Sequence, residues 1–277
     1  MDFHTHVFPP FFTKNRSRFF PDEPSFEALY QSPRSRLVTT EELLKKMDES
    51  GIDRSVIFGF PWNRQDYYQA HNDYIIESVK RYPERITGFC CFSPFSEKGL
   101  EETKRCLDSG LSGVGELALY DSGYSLEVQE RLGEIMELCA RLDMPVLLHT
   151  NESVGHAYPG KTPMQLSEIY QFIKRYPFNR IVLAHWGGGL FFYGLMKKEV
   201  DKAFRNVWFD TAASPYLYKP EVYQVAVDIV GPDKILFGSD YPLLSQERYF
   251  QEMRSTALSE ETIRKITGEN AAVLLRL

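Results

Sequence analysis

Asp2-Phe3-His4-Thr5-His6-Val7-Phe8-Pro9 opens the chain behind a single Met. The segment is apolar apart from its acidic, threonine and histidine positions. It runs into Pro9-Pro10, which ends a strand and begins a loop. Side chains alternate between faces along an extended segment, so His4 and His6 project to the same side. Their ring nitrogens can then converge on one cation, and imidazole is the commonest protein ligand for zinc-like metals. A His-x-His pair alone has little specificity. Its weight depends on whether ligand-type residues recur at the ends of later strands.

Working outward, seven more apolar, β-branched or aromatic runs follow residues 3–8, at 55–60, 86–92, 114–119, 146–149, 181–185, 207–211 and 235–238. Amphipathic helical stretches separate and follow them, at 40–50, 66–82, 98–109, 126–142, 163–176, 190–205, 221–230 and 260–275. In the first, Leu43, Leu44 and Met47 fall on one face and Thr40 is a candidate N-cap. Eight strands each followed by a helix predict a closed parallel (β/α)8 barrel rather than an open doubly wound sheet. No composition shift or flexible linker divides residues 1–277, which read as one domain. The one long connection, residues 9–38, is dense in aromatics (Phe11, Phe12, Phe19, Phe20, Phe26, Tyr30) and leaves the catalytic face of such a barrel. It reads either as a lid or as a short extra helix packed on the outside.

The composition excludes several function classes. With 277 residues, 43% of them hydrophobic, the chain can bury one large core. A net charge of −6 with scattered Lys and Arg gives no footprint for nucleic acid. No run is long and apolar enough to predict a membrane span, and the first residues read as a strand rather than a secretory leader. Cys90, Cys91, Cys106 and Cys139 show no C-x-x-C spacing and read as buried small hydrophobes of a reducing, cytoplasmic setting.

The strand ends carry the chemistry. The fourth strand, Gly113-Val114-Gly115-Glu116-Leu117, holds an acid in an apolar run. The fifth ends in Leu148-His149-Thr150, the sixth in Ala184-His185-Trp186-Gly187-Gly188-Gly189, and the eighth in Gly238-Ser239-Asp240-Tyr241-Pro242. Catalytic residues of barrels belong at that end of the strands. His4, His6, His149, His185 and Asp240 therefore make a four-His, one-Asp set suited to a zinc-like divalent ion. Of the two remaining histidines, His71 sits in a helical stretch away from any strand end, while His156 lies in the loop after the fifth strand, facing either substrate or solvent. Trp62, Tyr120, Tyr158, Trp186, Tyr216 and Tyr241 fall at or after strand ends and predict an aromatic pocket mouth for a small planar substrate. Trp62, His156, Tyr158 and Trp186 are the substrate-contact candidates, with Arg64 and Lys161 as weaker anion binders.

These motifs resemble the amidohydrolase superfamily, and within it the amidohydrolase-related (amidohydrolase 2) family of metal-dependent TIM-barrel hydrolases. That family also contains aminocarboxymuconate-semialdehyde decarboxylase-like enzymes. Asn72-Asp73, Tyr82-Pro83-Glu84-Arg85 and the closing Ile266-Thr267-Gly268-Glu269-Asn270 extend the likeness along the chain. The resemblance implies that His4, His6 and Asp240 hold the more buried metal position, with Asp240 doubling as general base. It implies that His149 and His185 bind the same ion or a second one, or that His185 holds the attacking water. It also implies a homodimer.

Glu116 stands where binuclear members often carry a carboxylated lysine. It either bridges two metals or orients a ligand from outside the coordination shell. On this reading the expected activity is hydrolysis of a small ester, lactone or amide by metal-activated water, with one or two Zn2+ ions. The alternative is a metal-dependent, non-oxidative decarboxylase of an aromatic or muconate-like acid. A catalytically silent scaffold with a structural metal is disfavoured, because structural zinc sites are closed and usually rich in cysteine.

Overall fold

Asp2–His6 forms the first strand, β1, and is followed by β2 (Ser55–Phe58), β3 (Ile86–Gly88), β4 (Val114–Leu117), β5 (Val146–Leu148), β6 (Ile181–Leu183), β7 (Val207–Asp210) and β8 (Ile235–Leu236). The computed structural model describes residues 1–120 and 122–277. Paired strands are parallel throughout, in the orders β1-β2-β3 and β4-β5-β6-β7-β8. Bridges Cys90–Val114 and Thr5–Tyr241 join the two arcs. The second seam is held by Phe3 N–H to Phe237 O (2.7 Å), Asp240 N–H to His4 O (2.9 Å) and His6 N–H to Tyr241 O (2.8 Å). The eight strands thus close into the expected (β/α)8 barrel, with a seam that sets the first and last strand ends side by side.

Two apolar layers follow from strand alternation. Phe3, Val56, Phe58, Phe89, Leu147, Val182 and Leu236 pack inside the barrel, while Ile57, Val114, Leu148, Ile181 and Val207 face the helices. β1 departs from strict alternation: its register shifts between Asp2 and Thr5, and both Phe3 and His4 turn inward, against Phe89 and Phe58 respectively. That irregularity places an imidazole directly above the apolar floor.

The segment after β1 is ordered rather than a plain loop. It contains α1 (Pro10–Lys14), α2 (Pro24–Tyr30) and two short 3-10 turns, and its aromatics pack on Trp62. Its buried Glu23 accepts from the backbone N–H groups of Asn63 (2.9 Å) and Arg64 (2.9 Å), which anchors the segment to the loop after β2. Next, α3 (Thr40–Ser50) is capped by Thr39 rather than Thr40, through a reciprocal bond with Glu42. α4 (Gln65–Arg81) follows β2. The stretch expected as one helix at 126–142 divides at Leu132, and Gln246–Arg254 forms a helix that periodicity did not predict.

The larger departure is at 190–205, where only Glu199–Ala203 is α-helical. Trp186, Gly187, Gly188 and Gly189 all take positive φ, which unwinds the chain beside the strand end. Gly188 is required there: a Cβ would lie 2.2 Å from the backbone oxygen of Asn151. No helix among the described residues is long and apolar enough to cross a membrane.

Candidate metal and catalytic site

The seam between β1 and β8 is built around Asp2. Its buried carboxylate accepts from Ser239 N–H (2.9 Å), Ser239 Oγ (2.5 Å) and Gln246 Nε2 (3.2 Å). Burial raises the Asp2 pKa in spite of those donors. This cluster fixes the turn that carries Asp240, whose backbone sits at φ 58°, a strained setting for a non-glycine residue. His185, at φ 55°, is held in the same way by a bond from its N–H to Asp210 Oδ1 (2.8 Å). Gly238 leaves room for the first ligand: a Cβ there would stand 2.6 Å from His4 Cβ. Gly238→Ala is therefore expected to displace His4, to destabilise the fold by about 1–3 kcal/mol, and to lower metal content in the purified protein.

Three imidazoles are pinned through Nδ1, and two of them, His4 and His6, present Nε2 to a common centre. His4 Nδ1 faces Asp210 Oδ2 (2.8 Å), His6 Nδ1 faces Gly59 O (3.4 Å), and His185 Nδ1 faces Ala212 O (3.0 Å). At His4 and His6 such partners fix the tautomer and leave Nε2 as the free lone pair, the usual arrangement of a metal-binding histidine, whereas His185 Nε2 faces the Glu116 carboxylate. At the centre, His4 Nε2 lies 3.3 Å from His6 Nε2, 3.7 Å from Asp240 Oδ1 and 3.6 Å from Glu116 Oε2. His6 Nε2 lies 3.3 Å from Asp240 Oδ1 and 3.6 Å from Glu116 Oε2. Ligand atoms on one ion at bond lengths near 2.1 Å are separated by about 3.0–3.4 Å. The set His4, His6 and Asp240, with Glu116 beside it, fits one divalent cation.

Glu116 turns its other oxygen away from that centre, to His149 Nδ1 (2.9 Å) and His185 Nε2 (3.4 Å). One carboxylate thus joins two groups, His4–His6–Asp240 and His4–Glu116–His185. His149 belongs to neither. Its Nε2 faces the carbonyl of Gly160 (3.1 Å), so the structure places it as a partner of Glu116 rather than in the ligand cluster where the sequence put it.

The electrostatics call for positive charge. Burial opposes charging of His4, but the carboxylates of Asp210 and Glu116 outweigh it and push its pKa well above the ordinary imidazole range. Burial likewise disfavours charged His185, yet its bond to Glu116 and the field of Asp240 lift it to about 9. Glu116 and Asp240 are held below the usual carboxylate range, burial being overcome by the surrounding histidines. A site that draws protons onto its imidazoles in this way suits a bound cation.

The remaining candidates divide. Tyr158 lines a cavity of about 280 Å³ with Tyr120, Leu29 and Lys161, beside the site. Lys161 is engaged by Glu152 (3.0 Å) and by the carbonyls of Val154 and His156. His156 is exposed, Tyr216 is exposed, and Arg64 pairs with Asp66 and Asp22 at the surface. Trp62 and Trp186 do not face the pocket: both are fully buried, Trp186 donating to Ser214 Oγ (2.9 Å) and Trp62 to His71 Nδ1 (2.9 Å). Their rings are large enough to serve as core beneath the loops, a use that a position after a strand end does not reveal.

His71 in turn donates from Nε2 to Val7 O (2.6 Å), so it is a buried, neutral support for the β1 loop. Burial lowers its pKa to about 3. A folded pKa below the unfolded value gives stability that is present near neutrality and lost as pH falls below about 6.5. Between pH 7 and pH 5 the His71 contribution to stability is expected to drop by about 2 kcal/mol. Denaturation of His71→Gln at both pH values is expected to show that part of the acid sensitivity removed.

Asp210 and Asp2 are the functional residues that the sequence reading missed. Asp210 closes the apolar strand β7, and an acid at a strand end is the same signal that drew attention to Asp240. The fold and site together define a metal-dependent barrel enzyme. The amidohydrolase family model matches residues 1–277, and the chain belongs to that family. A gamma-resorcylate decarboxylase from Polaromonas sp. is 23% identical over 300 residues, covering 88% of this chain and 90% of that protein. A 2-amino-3-carboxymuconate-6-semialdehyde decarboxylase from Dictyostelium discoideum is 26% identical over 259 residues, covering 80% and 70%. The 5-carboxyvanillate decarboxylase of Novosphingobium aromaticivorans, solved with manganese, superposes at TM-score 0.77 with 17% identity, covering 100% of this chain and 96% of that one.

These relatives correct the expected activity. All three are decarboxylases, so the hydrolase reading drawn from Glu116 is overturned. The physical reason is legible in the geometry: an acid on β4 also serves to gather four imidazoles, and that role carries no requirement for hydrolysis. The divalent metal stands. Zinc as its identity is not supported by a neighbour that carries manganese.

Proposed function

We propose that the protein is a metal-dependent, non-oxidative decarboxylase of a small aromatic or muconate-like carboxylic acid. The reading is carried by decarboxylase relatives that share nearly the whole chain, together with a ligand centre beside the His185 imidazole, whose Nε2 lies 3.4 Å from Glu116. His4, His6 and Asp240 would hold one divalent ion, with Glu116 beside them. When bound, the ion would supply positive charge to offset that of a substrate carboxylate.

The chain's own residues do the rest. Asp210 fixes His4, and Glu116 holds His149 and His185 at the edge of the centre. His185, pinned through Nδ1 to Ala212, presents Nε2–H as the acid. Its proton forms the new C–H bond at the carbon that bears the carboxylate. The C–C electron pair then returns to the ring as carbon dioxide leaves, and His185 is reprotonated from solvent. Asp240, whose Oδ1 lies 3.3 Å from His6 Nε2, would serve as a ligand instead of activating water.

The metal would be the ion the cell supplies to a His/carboxylate site, with manganese the first to try and zinc the second. Protein loaded with each is tested for carbon dioxide release on a panel of ortho-hydroxybenzoic and muconate-like acids. Release from at least one member is the expected result. Hydrolysis of aryl esters, lactones or amides with no decarboxylation would overturn the proposal.

A further inference from the structure

Two phenol groups close the site from the side of the long segment after β1, and the mechanism above does not use them. Tyr30 is the last residue of α2, and Tyr120 follows β4. They flank the same ring, with Tyr120 stacked on Phe60 (centroids 5.9 Å, planes at 12°) and Tyr30 edge-on to it (6.2 Å). Tyr120 also lies 5.9 Å from the His149 ring, and it borders the cavity of about 280 Å³ whose opposite wall is α2. Both side chains are half-buried. Among the described residues neither hydroxyl has a hydrogen-bond partner, whereas Tyr74, Tyr124, Tyr158, Tyr176 and Tyr249 all donate or accept. Resting on the decarboxylase reading, we infer that Tyr30 and Tyr120 are specificity-determining residues that donate to a second oxygen substituent on the substrate ring.

The direction of donation follows from the surroundings. Burial, with Asp240 and Glu116 nearby, pushes both phenols above their ordinary range, so both keep their O–H and act as donors. Neither hydroxyl is among the fully buried orphan atoms, so both are open to a ligand oxygen, which would accept from them in place of water. A ring bearing only a carboxylate and one ortho-hydroxyl would leave the pair unmatched. Sites built to bond an oxygen discriminate against analogues lacking it more sharply than apolar pockets can.

The test uses Tyr30→Phe, Tyr120→Phe and the double variant, which keep ring packing and are checked for metal content and circular dichroism. Carbon dioxide release is compared between 2-hydroxybenzoate and the four dihydroxybenzoates that retain the 2-hydroxyl. In parallel, calorimetry on the metal-loaded protein compares 2-nitrophenol with its ring-hydroxylated derivatives. The wild type is expected to favour one hydroxylated isomer by about 10-fold or more in KM and Kd, and each variant to erase that preference with kcat little changed. A preference that survives both substitutions, or none in the wild type, overturns the inference. If the wild type releases no carbon dioxide, the decarboxylase reading fails, and the calorimetric comparison still decides the role of the tyrosines.

Discussion

Glu116→Gln is expected to empty the metal centre and to abolish measurable activity. Its Oε2 lies 3.6 Å from both His4 Nε2 and His6 Nε2, and its Oε1 contacts His149 (2.9 Å) and His185 (3.4 Å). One buried carboxylate therefore contacts four imidazoles. The amide is neutral and presents N–H groups to nitrogens or to a cation that need an acceptor. Removing one partner from a buried charge network costs about 3–5 kcal/mol, equivalent to a loss of about 10²–10³-fold or more in metal affinity. Metal analysis after gel filtration, beside an unchanged circular dichroism spectrum, checks it. The wild type is expected to hold about one equivalent, since His149 faces Gly160 and does not complete a second site. Two equivalents lost together in the variant would make Glu116 a bridge.

His185→Gln is expected to give the opposite pairing: metal retained, kcat lowered by about 10³-fold, and KM little moved. The ligand group His4, His6 and Asp240 is complete without His185, so removal of the imidazole takes away the proton rather than the ion. Gln keeps a group able to donate to Glu116, which limits structural damage. Loss of metal together with activity would instead place His185 among the ligands, through the group it shares with His4 and Glu116.

Legibility differed between parts of the molecule for physical reasons. The strands were readable because buried parallel strands are short apolar runs with turn chemistry between them: β2 to β8 each fall inside an expected run, and β1 overlaps the first but begins one residue earlier, at Asp2. His4, His6 and Asp240 were readable because strand ends position them, and they do converge. The helix expected at 190–205 failed because Trp186 to Gly189 adopt left-handed conformations, which hydrophobic periodicity does not encode. Trp62 and Trp186 were misplaced because a strand-end aromatic can turn either to the mouth or to the core, and only tertiary packing decides. His149 converges on Glu116 rather than on the cluster because the chain at Gly160 folds back over it, a long-range contact that no local pattern carries. Activity was the least legible of all. The same donor set serves hydrolysis and decarboxylation, and what separates them is the substrate placed against it.

The most direct test supplies metal-loaded protein in deuterium oxide with carboxyl-¹³C hydroxybenzoates and muconate-like acids, and follows both products by mass spectrometry. The predicted result is labelled carbon dioxide in step with product carrying one deuterium at the vacated carbon, and neither from His185→Gln. No labelled carbon dioxide from any acid, while aryl esters or lactones are hydrolysed, would contradict the account.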